Sequence, residues 1–432
     1  MRVRLDDSAV GGFGFEWLRV LSQESTGGAV LGECIAVANR IRDNDFGSWT
    51  ASWSSLADHI LQQGKELERS GHQVSAQRCY LRTSNYYRAA AFYADPGRPE
   101  HGQLFFASRD CFRRSIEAGL AAEPITIPFE GRHLPGYFLR CARTPAPTLI
   151  AHGGFDSTAE ELYHWIGVHA VERGWNCVIF EGPGQWGPVF EEPPLLMRPD
   201  WENPVRAVVE WSLSRPEVDA EWLALIGYSL GGYLAPRAAA FEPRIRACIA
   251  SPLANDIGAA FETLWPAFVR FLPAALWNAV IDRTARLSTS GRWALQHARW
   301  ATGIRHAHET LGYWRSYTLN GLESRLTCPL LALVGEDDIA AMPTKLVLDT
   351  IDFAGRLPRR PDFHLFARAD GGASHCQMEA IPTAAAAAMD WLDDQVRGKR
   401  TENARSMDDL IETVAKHHGA DAAARARSTF SR

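Results

Sequence analysis

The sequence of 432 residues has no surplus of basic charge: 45 Lys and Arg stand against 51 Asp and Glu, a formal net charge of −6. Binding along a phosphate backbone needs a basic footprint, so broad nucleic-acid recognition is excluded. No run reaches the ~20 apolar residues of a membrane span. The best candidate, Phe261 to Ile281, is interrupted by Glu262, Pro266, Arg270 and Pro273. The opening MRVRLDDSAVGG lacks the apolar core of a secretory signal. Cysteine is sparse, eight residues without a C-x-x-C pair, which argues against a zinc site or a disulfide framework. Cys177, Cys248 and Cys328 sit in apolar strand-like runs and read as buried thiols. Together these absences describe a reduced cytoplasmic protein whose partner is a small molecule rather than a nucleic acid or a membrane; a homodimer stays open. What is plentiful is aromatic: 15 Trp and 20 Phe point to large apolar pockets or an aromatic-rich lid.

Residues 1–120 read as a helical N-terminal domain. Trp53, Leu56, Ile60 and Leu67 recur near helical spacing, and Gly71 breaks the pattern. A second helix carries Ala76, Cys79, Tyr80, Thr83, Tyr87 and Ala91 on one side, and a third runs from FFASRDC to about Gly119. The pairing resembles a tetratricopeptide hairpin, but an array needs at least three regular units and they are missing. After Pro124 short apolar strands alternate with amphipathic helices, the pattern of a mostly parallel sheet with helices on both faces, an α/β fold. The division expected is a first core part over 121–252, a helical lid insertion over 253–325, a second core part over 326–400 and a tail over 401–432. The insertion holds Trp265, Trp277, Trp293, Trp300 and Trp314. These are expected to line an apolar pocket, the alternative being a small core of the lid's own. The charged, Ala-rich tail is expected to be exposed helix or frayed, without a function.

G-x-S-x-G occurs at Gly227, Tyr228, Ser229, Leu230 and Gly231, directly after the strand WLALI and directly before a helix. That strand–turn–helix setting presents a serine hydroxyl at the carboxyl end of a sheet. It also sets the Leu230 N–H at a helix N-terminus, where partial positive charge can hold an oxyanion. A second donor is expected from His152, Gly153 and Gly154 after the strand TLIA: the Gly154 N–H, with Phe155 as the near alternative. His152 precedes the serine, the wrong order for a general base, and reads as a buried orienting histidine.

The order Ser, acid, His asks for a carboxylate after the strand PLLALVG and a histidine after the last strand. Asp338 is the preferred acid, with Asp337 and Glu336 as alternatives and otherwise solvated loop charge. His375 follows the glycines 371 and 372 and is the expected base. Cys376 beside it reads as packing.

The set H-G-G-F-D-S-T at 152–158, F-E-G-P-G-Q at 180–185, G-Y-S-L-G-G-Y at 227–233 and G-A-S-H at 372–375 resembles the α/β-hydrolase superfamily. Within it the chain is similar to the branch of 2,6-dihydroxypseudooxynicotine hydrolase and of fungal hydrolases that shorten polyketide chains in pigment synthesis, and Y-L-R-T-S-N-Y-Y-R at 80–88 adds to the likeness. The resemblance implies Ser229, Asp338 and His375 as a triad, no metal or organic cofactor, and hydrolysis of a C–C bond beside a ketone in an aromatic or polyketide-like compound of secondary metabolism. Ester, thioester or lactone hydrolysis remains open, as does a non-hydrolytic cyclase or acyltransferase on the same scaffold. Phe155, Tyr228, Tyr80, Asn85 and Tyr86 are candidates for substrate contact.

Overall fold

The alternation after Pro124 closes into one sheet. The structure, a computed structural model, describes residues 10–263, 272–399 and 404–430, so Trp265, Pro266, Arg270 and residues 1–9 lie outside it. Among the described residues eight strands form the sheet: β1 (Glu123–Phe129), β2 (Arg132–Leu139), β3 (Ala146–His152), β4 (Asn176–Phe180), β5 (Val218–Tyr228), β6 (Ile245–Ser251), β7 (Leu330–Gly335) and β8 (Asp362–Phe366). Their order is β1-β2-β4-β3-β5-β6-β7-β8, with β2 antiparallel to both neighbours and β3 to β8 mutually parallel. This is the α/β-hydrolase fold that the motifs imply. The β1–β2 hairpin turns on Glu130 and Gly131, both with positive φ, the backbone twist that two-residue hairpins favour. β3 and β4 are buried along their whole length, which is why they read as unbroken apolar runs rather than alternating ones.

Successive residues feed opposite faces. Ile150, Val178 and Leu225 belong to one core, Leu149, Cys177 and Ile226 to the other. Two helices later in the chain than the five N-terminal ones show this division. The helix over Gly231–Phe241 covers the first face, and the one over Ile381–Val396 covers the second.

Before the sheet come α1 (Phe13–Leu21), α2 (Leu31–Ala38), α3 (Phe46–Arg69), α4 (Gln73–Phe92) and α5 (Pro99–Glu117). The last three match the periodic segments. α1 was not singled out in that reading; Phe13, Phe15, Glu16, Trp17, Arg19 and Val20 are all buried, so both its sides are covered. After β3 the helical stretch divides into α6 (Ala159–Leu162), a wide π turn over 163–167 and α7 (Val168–Glu172). Thr158 and Glu161 close a capping box at its start.

Next come α8 (Trp186–Val189), α9 (Glu202–Leu213) and α10 (Gly231–Phe241). The insertion supplies α11 (Ile257–Thr263), α12 (Ala274–Ala285), α13 (Thr289–Thr302) and α14 (Ala307–Trp314). Then follow α15 (Glu336–Ala341), α16 (Thr344–Gly355), α17 (Ile381–Val396), α18 (Ala404–His418) and α19 (Ala420–Phe430). The tail corrects the expectation of exposed or frayed helix. Leu410, Ile411, Val414, Ala426 and Phe430 are buried in the main core, with Phe430 against Phe363 of the edge strand β8. An edge strand exposes unpaired backbone, and a covering helix pair removes that liability. No helix among the described residues is long and apolar enough to cross a membrane.

Candidate active site

β5 ends in the nucleophile turn. Ser229 itself carries a positive φ of 58°, a strained conformation for a residue with a side chain. The glycines permit close approach. A Cβ on Gly227 would lie 2.2 Å from the Gly231 carbonyl oxygen, and one on Gly232 would lie 1.7 Å from that of Pro252. The Ser229 N–H donates to the Ser251 carbonyl at 2.7 Å and also lies 3.2 Å from the Cys376 sulfur. The Cys376 thiol in turn donates to Ser251 O at 3.2 Å. Cys376 thus packs beneath the turn, as expected from the sequence.

The loops after β7 and β8 bring Asp338 and His375 to the same point. His375 Nε2 lies 2.9 Å from Ser229 Oγ, and Nδ1 lies 2.7 Å from Asp338 Oδ1. With Nδ1–H donating to the carboxylate, Nε2 is left to accept the serine proton. Burial opposes charging of this imidazole, but Cys376 and Asp338 outweigh it and hold His375 above the ordinary histidine value. Asp337 points away and pairs with Arg368 at 2.7 Å. Glu336 corrects the reading of solvated loop charge. It is buried, accepts from Lys416 at 2.6 Å and lies 3.1 Å from His417, so it anchors α18. The Lys416 hydrogen bond, followed by the Arg368 backbone N–H, lowers its pKa to about 2.

The loop after β3 abuts the turn. A Cβ on Gly154 would meet the Leu230 nitrogen at 2.5 Å and the Ser229 Cβ at 3.0 Å, so only glycine lets these backbones come together. Among the described residues no acceptor faces the N–H groups of Gly154, Phe155 or Leu230. His152 is fully buried between Phe180 and Trp201, with Nδ1 2.8 Å from the Gly153 carbonyl. Burial lowers its pKa to about 4, so it is neutral.

Behind this loop lies a charge cluster without a local signature in the sequence. Arg19 of α1 reaches Asp156 at 2.6 Å and grips Glu161 with two bonds of 2.9 and 2.8 Å. Burial would raise the Asp156 pKa, but Arg19 outweighs it and the net shift is downward. Arg88 of α4 adds a second cation near Glu161, while burial pushes Glu16 up to about 7. In α5, Arg109 binds Glu160 at 2.9 Å and Glu181 at 2.7 Å. Single arginines scattered through helices carry no local pattern, so only the tertiary fold reveals these pairs.

Ser229, His375 and Asp338 open onto a cavity of about 330 Å³ whose wall is mainly apolar, with Phe155, Ile257, Phe261, Trp314 and Met342 among its residues. That is the lower end of the size range of ligand sites. Phe155 therefore sits where substrate contact was expected. The four other candidates do not. Tyr228 is buried on the opposite face of the sheet against Trp165. Tyr80 and Tyr86 lie among the N-terminal helices, their hydroxyls donating to Glu68 and Glu33, and Asn85 donates to the Val20 and Gly28 carbonyls. Their hydrogen-bonding capacity is spent on holding α4 in place.

The lid tryptophans follow neither expectation as a group. Trp314 lines the cavity and stacks on Phe261 at 4.7 Å. Trp277 joins Ile281 and Ala307 in a small core of the lid. Trp293 stacks on Phe92 of α4 at 4.8 Å, and Trp300 packs on His101 and Trp186. These last two dock the lid onto the N-terminal helices.

A model described as the alpha/beta hydrolase family matches residues 148–388. The hydrolase acrC of Aspergillus aculeatus is 31% identical, over 90% of this chain and 97% of its own. The 20-hydroxy-prefusarin hydrolase FUS2 of Gibberella moniliformis is 32% identical, over 77% of this chain and 83% of its own. The solved structure of 2,6-dihydroxy-pseudo-oxynicotine hydrolase superposes with a TM-score of 0.69 at 22% identity, covering 90% of this chain and 98% of that one, a likeness of fold.

Proposed function

The chain belongs to the alpha/beta hydrolase family, and from that premise we propose that it hydrolyses a C–C bond beside a ketone in an aromatic or polyketide-like small molecule, with Ser229, His375 and Asp338 as its triad. The observation that carries the reading is the unbroken hydrogen-bond chain from Asp338 through His375 to Ser229, opening onto an apolar cavity. That the relative FUS2 is a 20-hydroxy-prefusarin hydrolase supports a small-molecule substrate.

The chemistry follows from the geometry. His375 Nε2 takes the Ser229 proton as Oγ attacks the ketone carbon. The carbonyl oxygen becomes an oxyanion, stabilised by the Leu230 N–H and by the Gly154 or Phe155 N–H. When the tetrahedral adduct collapses, the C–C bond breaks and its electron pair leaves on carbon. That carbanion needs a second carbonyl or an aromatic ring beside it, and it takes its proton from the His375 imidazolium. Water, deprotonated by the same imidazole, then releases the acyl group from Ser229 as a carboxylic acid. Asp338 holds the tautomer and stabilises the imidazolium throughout.

The test is product analysis of β-diketones and aryl ketones in oxygen-18 water. The expected result is a carboxylic acid carrying oxygen-18 and a protonated carbon fragment, both absent with Ser229→Ala. Intact ketones alongside rapid cleavage of the corresponding esters would replace the reading with an esterase. Unlabelled cyclised or transferred products would replace it with a non-hydrolytic enzyme.

A further inference from the structure

The loop over 153–156 has each of its carbonyl groups held by a side chain from elsewhere. Gln185 Nε2 donates to Gly153 O and to Gly154 O, both at 2.9 Å. His297 Nε2, on the lid helix α13, donates to Phe155 O at 2.9 Å. Trp186 Nε1 donates to Asp156 O at 2.7 Å. In a planar trans peptide the C=O of one residue and the N–H of the next point in opposite directions. Holding Gly153 O therefore sets the Gly154 N–H, and holding Gly154 O sets the Phe155 N–H. With the Leu230 N–H, these are the N–H groups near Ser229 that face no acceptor among the described residues. Gln185 is itself fixed, because its Oε1 accepts the Gly182 N–H at 2.8 Å and the side chain is buried. His297 is buried between Trp293 and Phe155, and burial outweighs the nearby Asp156 charge and lowers its pKa, so it stays neutral with Nε2 as the donor.

We propose that Gln185 is a positioning residue that aims the oxyanion donors, and that His297 fixes the adjoining peptide from the lid, so that a seated lid is a condition for a formed oxyanion hole. Neither side chain touches the reacting atoms; both act through the loop backbone. The inference rests on the serine-hydrolase reading above. It adds that the donors are aimed by one glutamine shared between two carbonyls, and that the lid contributes to catalysis as well as to substrate fit.

The experiment uses the full chain and a fluorophosphonate, whose phosphonyl oxygen occupies the place of the oxyanion once Ser229 has reacted. The labelling rate is measured for wild type and for Gln185→Met, His297→Met and His297→Gln, with melting temperatures beside it. Removing an oxyanion donor outright slows reaction about 10²- to 10³-fold, so misaiming is expected to give about 10²-fold for Gln185→Met and about tenfold for His297→Met. His297→Gln keeps a donor and is expected to stay within about threefold of wild type. The acid limb of the labelling rate, which reports His375, is expected not to move in any variant. A merely structural role would lower the melting temperature and leave the labelling rate of the folded enzyme unchanged, and that result overturns the proposal. If wild type is not labelled at Ser229, the serine-hydrolase reading falls and takes the proposal with it. If the methionine variants do not fold, the crystal structure of the wild-type adduct decides. A phosphonyl oxygen within hydrogen-bond reach of Leu230 N–H and of Gly154 or Phe155 N–H, with Gln185 still on both carbonyls, sustains the proposal; any other position overturns it.

Discussion

The two halves of the candidate site are built in opposite ways. Ser229 and Asp338 stand just beyond the ends of β5 and β7, and His375 on the loop after β8, so the strand ends and the loops that follow them bring the three together. The loop over 153–156 follows β3 just as directly, yet its backbone and its Asp156 carboxylate are held by Arg19 of α1, Trp186 and Gln185 after β4, and His297 of the lid. A hydrogen-bonded triad can therefore survive changes that spoil the loop. The difference teaches that the N-terminal helices and the segment between β6 and β7 hold one half of the candidate site in place, as well as enclosing it.

The largest effects should fall on the triad side and leave the fold alone. Ser229→Ala and His375→Ala are each expected to lower kcat at least ~10³-fold, and Asp338→Asn somewhat less, with melting temperatures close to wild type. Asp337→Asn, which only loosens a surface pair with Arg368, should be near wild type. The pH profile sharpens the point. The base must be neutral, so kcat/KM falls as pH drops through the His375 pKa, which is held above the ordinary value. Asp338→Asn removes a carboxylate that favours the imidazolium, so the acid limb should move to lower pH. A limb that stays in place would mean that another group sets it.

Arg19→Met is the matching change on the other side. It leaves Asp156 and Glu161 buried opposite a neutral side chain, and breaking one partner of a buried pair costs about 3–5 kcal/mol. Chemical denaturation should show that loss, and the folded fraction should also have a lowered kcat. If Arg19→Met keeps full stability and full activity, the contrast between the two halves is false.

That contrast also explains what could be read in advance. Strand alternation, the G-x-S-x-G turn and the Ser, Asp, His order are local signals, and each lies on a short piece of chain whose conformation it dictates. The tertiary signals were not legible. α1 is buried on both sides, and Arg19 looks like any surface arginine until α1 is docked. Gln185 was visible inside a motif but without a role, since its partners are carbonyls 31 and 32 residues away. Tyr80 and Tyr86 are candidates only if the N-terminal helices close over the site, whereas here their hydroxyls are already bonded to Glu68 and Glu33.

The lid offers a smaller test. Trp314 lines the cavity, and Trp277 belongs to a separate cluster within the lid. Trp314→Leu should raise KM about tenfold, the loss of ~1.4 kcal/mol of apolar contact. Trp277→Leu should lower the melting temperature and leave KM unchanged. Equal KM shifts in both would mean that the lid moves as one body and its tryptophans cannot be assigned separately.

The smallest effect concerns how the acid loop is braced from outside. Glu336 opens α15, two residues before Asp338, and receives Lys416 and the Arg368 backbone N–H, with His417 alongside. The Lys416 ammonium is well exposed, so the pair is worth about 1 kcal/mol or less. Glu336→Gln should therefore lower stability slightly at neutral pH and leave kcat within about twofold of wild type, because the strand end still sets Asp338. The sign with pH is fixed by the depressed pKa of about 2. Stabilisation by this carboxylate is fully present above its unfolded value near 4.5 and fades as pH falls from there toward 2. Wild type and Glu336→Gln should thus differ in melting temperature at pH 7 and converge through that acid window, with α18 the segment that becomes open to protease first. A difference that persists at the bottom of the window would show that the buried side chain matters by its packing and not by its charge.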